Sequence, residues 1–206
     1  MGGTYALIVA AGRGQRAGGG VPKQYRPVGG APVLRRTVEA FCRHAAVDGV
    51  RVAIHPDDRP LYDEAVAGLP VLDSVNGGAT RQASVCAGLE ALAGEDPEIV
   101  LIHDAARPFV APAVVDRVIE GARAGGAAIA ALPVVDTLKR AESGIISDTV
   151  DRTGLWRAQT PQGFGYAAIL NAHRRAAGRD LSDDAAVAEA AGMTVQVVHG
   201  GEDNFK

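Results

Sequence analysis

The chain has 206 residues, of which 47% are apolar and 22% are charged, as is typical of a folded globular protein and not of a disordered one. Its formal net charge of −3 excludes a general attraction to nucleic acid or anionic membranes, so phosphate binding requires a local cluster of cations. Two cysteines are too few for a disulfide scaffold, and the apolar runs fall short of the ~18 residues that a membrane span requires. We therefore expect a soluble, cytoplasmic protein with no nucleic-acid or membrane partner.

Short apolar runs alternate with amphipathic segments along most of the chain. The runs are mostly continuous, as in strands that are buried on both faces of a sheet. They predict strands at Tyr5–Ala10, Val50–Ile54, Val71–Leu72, Glu98–His103, Ala127–Leu132 and Thr194–Val198. Apolar residues at helical spacing predict helices that begin near Val33, Thr80, Pro112, Tyr166 and Asp183. This order predicts an α/β fold with a mostly parallel sheet flanked by helices.

The alternation stops at residues 133–164, where polar turns separate short β-prone pieces. This pattern predicts an excursion from the sheet, a protruding β-arm at about 134–160. The arm carries four residues of types that bind phosphate: Thr137, Lys139, Arg152 and Thr160. The alternative is that they form an ordinary polar surface. We interpret residues 1–206 as a single domain.

A glycine-rich loop follows the first predicted strand and runs from Ala10 to Lys23. Glycines leave backbone N–H groups free to surround an anion, because no Cβ blocks the approach. A match to the dinucleotide fingerprint begins at Gly12, but the three glycines at 18–20 would break the helix that the fingerprint requires. The loop therefore predicts a triphosphate site closed by Arg16 and Lys23, with an ordinary solvated loop as the alternative.

A second glycine pair stands directly before a predicted helix. Gly77 and Gly78 offer N–H donors at the positive end of that helix, and Arg81 and Ser84 lie in its first turns. The alternative is an ordinary turn in which Thr80 caps the helix.

Asp104 follows His103 at the point where a predicted buried strand ends. Open α/β folds place ligands at that edge of the sheet, and a carboxylate there is a natural ligand for Mg²⁺. A hydrolase triad of Ser84, His103 and Asp104 is excluded, because adjacent strand residues point to opposite faces. We interpret His103 as a packed or hydrogen-bonded histidine, and Ser182–Asp184 as a helix N-cap with an acidic first turn.

Seven short motifs occur in order along the whole chain. They are A-A-G-x-G-x-R…P-K-Q-Y at Ala10–Tyr25, G-G-x-x-R-x-x-S-V at Gly77–Val85, H-D-A-A-R-P at His103–Pro108, D-T-x-K at Asp136–Lys139, T-V-D-R-x-G-L-W at Thr149–Trp156, T-P-Q at Thr160–Gln162 and E-D-N-F-K at Glu202–Lys206. In kind and order, these motifs resemble those of the 2-C-methyl-D-erythritol 4-phosphate cytidylyltransferases of the non-mevalonate isoprenoid pathway.

The resemblance implies a nucleotidyltransferase fold related to the Rossmann sheet, and a homodimer formed through the β-arm. It implies transfer of CMP from CTP to 2-C-methyl-D-erythritol 4-phosphate, a sugar-alcohol phosphate, with Mg²⁺ or another divalent cation as cofactor. The implied catalytic residues are Arg16, Lys23, Asp104 and Lys206, and the implied metal ligands are Asp104 and Asp203. The nucleotide would contact Ala10, Ala11, Gly12, Gly77, Arg81 and Ser84. The sugar phosphate would contact Arg107, Thr137, Arg152, Thr160 and Lys206, with Thr137 and Arg152 supplied by the partner's arm.

The chain departs from the family pattern in two places. Ala17 stands where the family usually has methionine, and the C-terminal helix that usually follows the last motif is missing. We therefore expect a shortened chain or one domain of a longer, bifunctional polypeptide. The alternative functions are a sister cytidylyltransferase acting on ribitol or ribulose 5-phosphate, and a catalytically inactive nucleotide-binding module.

Overall fold

The computed structural model describes residues 2–12, 20–179 and 181–206 of the chain. The helices in these ranges are α1 (Val33–Cys42), α2 (Arg59–Val66), α3 (Arg81–Ala91), α4 (Pro112–Gly125), α5 (Tyr166–Arg175) and α6 (Asp184–Ala190). Short 3-10 helices lie at Lys23–Tyr25, Pro56–Asp58 and Leu92–Glu95. The strands are β1 (Gly3–Ala10), β2 (Pro27–Val28), β3 (Ala31–Pro32), β4 (Gly49–Ile54), β5 (Val75–Asn76), β6 (Pro97–Asp104), β7 (Ala127–Pro133), β8 (Leu138–Glu142), β9 (Ile145–Val150), β10 (Trp156–Gly165) and β11 (Gln196–His199). Within the described ranges, no helix is long and apolar enough to cross a lipid bilayer.

Seven of the described strands form the main sheet, in the order β11-β7-β10-β6-β1-β4-β5. β1 pairs in parallel with both β4 and β6, and β11 pairs in parallel with β7. β10 is antiparallel to both of its neighbours, β6 and β7. The predicted α/β fold with a mostly parallel sheet and flanking helices is therefore confirmed.

The middle residues of β1 and β6 are apolar and buried because helices cover both faces of the sheet. On β1, Ile8 packs into one core with α1, α2 and α4, while its neighbour Leu7 packs into a second core with α3, α5 and α6. On β6, Leu101 and Ile102 divide between the two cores in the same way. Each such buried side chain contributes about 1.5–3 kcal/mol to stability. The two cores therefore hold the carboxyl ends of β1 and β6 side by side.

The region between β4 and β5 differs from the sequence-based expectation. The predicted strand at Val71–Leu72 is wrong, because these residues form a loop whose side chains pack on the two cores. The third strand lies at Val75–Asn76 instead and pairs in parallel with β4. Helix α2 is an addition to the predicted elements. It has eight residues and buries Tyr62, Ala65 and Val66, too short a pattern to stand out in the sequence.

Strands β8 and β9 form a separate antiparallel hairpin outside the main sheet. Its side chains are largely exposed, and Ile145 and Ile146 are 74% and 61% exposed. The hairpin lies within the predicted arm range of 134–160, but that range is too long at its end. β10 already begins at Trp156, because residues 156–158 pair with β7 in the main sheet and not with the hairpin.

Candidate active site

A cleft of about 520 Å³ opens at the carboxyl edge of the main sheet. It lies where β1 and β6 end and α3 begins, the edge at which open α/β sheets bind ligands. The cleft brings together eight of the residues predicted from sequence: Ala10, Ala11, Gly12, Lys23, Arg81, Ser84, Asp104 and Lys206. Residues that are far apart in the chain thus line one continuous space at the predicted position.

Small residues and tight turns form the wall beside α3. A Cβ at Gly77 would lie 2.4 Å from the Ala11 Cβ and 2.7 Å from the Ser84 Oγ, so glycine is required there. The buried Ser84 hydroxyl donates to the carbonyl of Thr80 (2.8 Å) and accepts from the N–H of Gly78 (3.1 Å). Thr80 caps α3, as predicted by the alternative interpretation of this segment as an ordinary turn. Its hydroxyl accepts a hydrogen bond from an N–H in the first turn of the helix. The segment is therefore a cap and a cleft wall at the same time.

Asp104 is the acidic centre of the cleft and is surrounded by cations. Its Oδ1 lies 3.2 Å from Arg81 Nε, and its Oδ2 lies 2.7 Å from Lys206 Nζ and 3.9 Å from Arg107 Nε. Burial raises the pKa of Asp104, but Arg81 and Lys206 lower it by more, so the pKa is held well below its ordinary value. The carboxylate therefore stays ionised at neutral pH.

A second carboxylate, Asp184, holds Arg81 from the other side. Asp184 is 1% exposed, and its side chain contacts Arg81 Nη2 at 2.8 Å and His173 Nε2 at 3.2 Å. The predicted N-cap at 182–184 is confirmed for Asp183, which accepts from the N–H of residue 186, but Asp184 turns inward. An acidic residue in the first turn of a helix can be exposed to solvent or can be the buried partner of an arginine. The sequence around Asp184 does not distinguish these two cases.

His103 is a fully buried packing residue, as predicted. Its Nδ1 lies 3.1 Å from Thr160 Oγ1, its Nε2 lies 3.0 Å from the carbonyl of Arg107, and its ring packs against Phe41. Burial lowers the pKa of His103 to about 4, so the ring is neutral near pH 7. Thr160 Oγ1 also accepts from the N–H of Asp104 (3.1 Å), so the hydroxyl of Thr160 helps to fix the end of β6.

Lys23 enters the cleft from a short 3-10 helix that is anchored by its neighbour Gln24. The Gln24 side chain is 2% exposed, and its Nε2 donates to the carbonyls of Ala10 (2.7 Å) and Gly12 (3.2 Å). Gln24 therefore ties the start of the glycine-rich loop to the segment that carries Lys23. Gln24 belongs to the P-K-Q-Y motif, and that motif is the feature of the sequence from which this role could have been predicted.

Three further predicted site residues, Gly77, Arg107 and Thr160, contact residues that line the cleft. Three others are not part of its lining. Thr137 and Arg152 are exposed residues that flank the β8–β9 hairpin, where Arg152 donates to the carbonyl of Val135, and neither lines the cleft. Asp203 is exposed and does not line the cleft either. Arg16 lies outside the residues that the structure describes.

The donor set of the cleft can be tested against the expected Mg²⁺. Within the described ranges, no group of three or more His, Cys, Asp or Glu side chains could enclose a metal ion. Mg²⁺ is commonly held by one or two carboxylates, several waters and the oxygens of substrate phosphates, and it does not need an all-protein cage. Asp104, ionised and 14% exposed in the cleft, fits that requirement.

Comparisons with known proteins agree with the motifs and the fold. The family model of 2-C-methyl-D-erythritol 4-phosphate cytidylyltransferase (IspD) matches residues 4–206. A "Bifunctional enzyme IspD/IspF" of Rhodospirillum rubrum is 59% identical over 202 residues, which cover 98% of this chain and 53% of that protein. The chain thus spans about half the length of the curated relatives it matches.

Two solved structures are similar to this chain over nearly their whole length. A crystal structure of a 4-diphosphocytidyl-2C-methyl-D-erythritol synthase is 38% identical with a TM-score of 0.88, covering 100% of this chain and 92% of that one. The 2-C-methyl-D-erythritol 4-phosphate cytidylyltransferase from Thermus thermophilus is 39% identical with a TM-score of 0.84 and the same coverage. The likeness therefore includes both sequence and fold.

Proposed function

This chain belongs to the 2-C-methyl-D-erythritol 4-phosphate cytidylyltransferase family, and from that premise we propose that it transfers CMP from CTP to 2-C-methyl-D-erythritol 4-phosphate. The products would be 4-diphosphocytidyl-2-C-methyl-D-erythritol and pyrophosphate, in the non-mevalonate isoprenoid pathway. One observation carries the proposal: the cleft holds the ionised Asp104 between Arg81 and Lys206, at the edge where β1 and β6 end.

The nucleotide fits the side of the cleft that is made of small residues. Ala10, Ala11 and Gly12 carry little side-chain bulk, so a base and ribose can lie close to the backbone. The tight approach of Gly77 to Ser84 gives this wall a fixed shape. Lys23, at the far end of the glycine-rich loop, lines the same cleft and would meet the triphosphate.

Charge explains how such a cleft could promote the reaction. A phosphate monoester has a second pKa near 6, so at neutral pH the attacking oxygen is already anionic and needs no general base. That oxygen forms a bond to the α-phosphorus of CTP while the bond from this phosphorus to the bridging oxygen breaks, and pyrophosphate leaves with the electron pair. Repulsion between the two anions opposes the step, and Lys23, Lys206 and Arg107 offset it. Mg²⁺ held by Asp104 would supply further positive charge to the phosphates.

The arm supplies the argument for a homodimer. Ile145 and Ile146 expose a large apolar surface on the β8–β9 hairpin, and Thr137 and Arg152 lie outside the cleft of their own chain. We therefore propose that two chains associate through their arms, and that each arm brings Thr137 and Arg152 to the sugar phosphate in the partner's cleft.

Cys42 and Cys86 are both free, which supports a cytoplasmic location.

Pyrophosphate release tests the proposed substrate. The chain is incubated with CTP and Mg²⁺, and with either 2-C-methyl-D-erythritol 4-phosphate or ribitol 5-phosphate at equal concentration. We expect release with methylerythritol phosphate and at least ~10-fold less with ribitol phosphate, as contacts specific to one substrate allow. Preference for ribitol phosphate would identify the sister enzyme, and no release with either acceptor would indicate an inactive nucleotide-binding module.

A further inference from the structure

The C-terminal segment, residues 200–206, is anchored to β10 by one buried side chain. Asn204 is 1% exposed, whereas the residues on either side of it are exposed. Its Nδ2 donates to the carbonyl of Thr160 (2.7 Å) and to Gln159 Oε1 (3.2 Å). An asparagine buried among exposed neighbours, with its amide directed at one strand, indicates a specific attachment point.

Gln159 completes the attachment by pairing with the backbone of Gly201. Its Nε2 donates to the Gly201 carbonyl (2.9 Å), and its Oε1 accepts from the Gly201 N–H (3.2 Å). The register of β10 against β7 shifts between residues 158 and 162, so Gln159 lies in the irregular part of the strand. A Cβ at Gly200 would lie 2.3 Å from Gln159 Oε1, so the segment can approach this closely because glycine stands there. We call the side chains of Gln159 and Asn204 the amide clasp.

The segment that the amide clasp anchors is connected to two cations beside Asp104. Lys206 follows Asn204 by two residues and places its Nζ 2.7 Å from Asp104 Oδ2. The carbonyl of Asn204 accepts from Arg107 Nη1 at 2.5 Å. The side chain of Lys206 is 52% exposed, so packing around it is sparse, and its position depends on the backbone that leads to it.

We propose that Gln159 and Asn204 are positioning residues for the sugar-phosphate side of the cleft, acting through Lys206 and Arg107. This inference rests on the proposed function and on the family resemblance, which implies that those two cations contact the sugar phosphate. Without the amides, the N–H of Gly201 and the carbonyl of Thr160 lose these partners, and the Gly201 carbonyl keeps only the backbone N–H of Asn204. Such groups recover hydrogen bonds from water when the segment lifts away, and Lys206 then leaves Asp104. The hydrogen bonds of the small-residue wall that would hold the nucleotide join Gly78, Thr80 and Ser84, so this wall should keep its shape when the clasp is removed.

Two near-isosteric substitutions test the clasp. Gln159→Met and Asn204→Leu keep the length of each side chain and remove its amide. We expect each to lower kcat/KM for methylerythritol phosphate roughly 10- to 100-fold, while KM for CTP changes by less than about 2-fold. Hydrogen exchange, measured without substrate, should speed up at the Gly201 amide. Glu202→Gln is the control, because Glu202 lies in the same segment but forms only an exposed pair with Arg157 (3.1 Å), and it should behave as wild type.

The outcomes separate this inference from the proposed function. An active wild type whose clasp variants keep a normal kcat/KM for the sugar phosphate would overturn the inference alone. A parallel rise of KM for both substrates with a lower melting temperature would also overturn it, because a general loosening of the fold would then be the cause. A wild type with no turnover on any acceptor would refute the proposed function itself, and the positioning role with it.

Discussion

Replacing Asp184 with asparagine should destabilise the chain by about 3 kcal/mol, because it removes the buried partner of an ion pair in which the Arg81 side chain is 32% exposed. Asp184 is 1% exposed and lies 2.8 Å from Arg81, whose other partner is Asp104. Breaking a buried pair costs about 3–5 kcal/mol, and the lower end applies here because Arg81 keeps Asp104. Asp184→Asn also replaces the carboxylate that contacts His173 with a neutral amide.

The chain provides a matched control for this experiment. Asp63 lies 2.7 Å from Arg59, nearly the same distance, but both side chains are more than half exposed. Asp63→Asn should therefore cost no more than about 0.5 kcal/mol. Urea unfolding of both variants at pH 7, followed by far-ultraviolet circular dichroism, measures the two losses. Equal losses would refute the reasoning, because burial of the Asp184 pair would then carry no energetic weight.

Three further predictions concern the cleft, its surroundings and the arm. Asp104→Asn should leave the circular dichroism spectrum unchanged and lower kcat by ~10²–10⁴, and near-normal turnover with Mg²⁺ would contradict the role of Asp104. Burial lowers the pKa of His103 from an ordinary value near 6.5 to about 4 in the folded chain, so between these pH values the unfolded chain binds more protons than the folded chain. The free energy of unfolding should therefore fall by about 2 kcal/mol from pH 7 to pH 5. His103→Gln should lose that part of the pH dependence. If urea unfolding of this variant at pH 7 and pH 5 gave the same change in free energy as wild type, the role of His103 would be contradicted. Lys23→Ala and Arg152→Ala should each be inactive, yet refolding equal amounts together should restore about a quarter of wild-type activity, because half of the dimers then contain one intact site. No recovery despite demonstrated subunit exchange would mean that Arg152 does not act in the partner's cleft.

The position of Asp104 could be predicted from the sequence because it depends on the core. Continuous apolar runs identify β1 and β6, and parallel strands that are buried on both faces must end at a common edge. The small residues beside α3 could be predicted for a related reason. Glycines before a capped helix offer few alternatives to a tight turn.

The rest of the candidate site depends on long-range contacts that leave no local pattern. Asp184 meets Arg81 from 103 positions away, and Asn204 meets Gln159 from 45 positions away. A short polar residue in a helical turn or a terminal segment is compatible with solvent and with burial alike. The predicted roles of Thr137 and Arg152 depend on a second chain, so one chain alone cannot bring them to the cleft.

The most direct test of the central claim is to identify the product by phosphorus-31 NMR. Pyrophosphate release alone could also come from hydrolysis of CTP, whereas the spectrum distinguishes CMP from a diphosphate joined to an alcohol. With CTP, Mg²⁺ and 2-C-methyl-D-erythritol 4-phosphate, we expect paired signals of a diphosphate diester that grow in step with pyrophosphate. CTP that stays intact, or that yields CMP and pyrophosphate without the diester, would contradict the claim that this cleft joins CMP to the sugar phosphate.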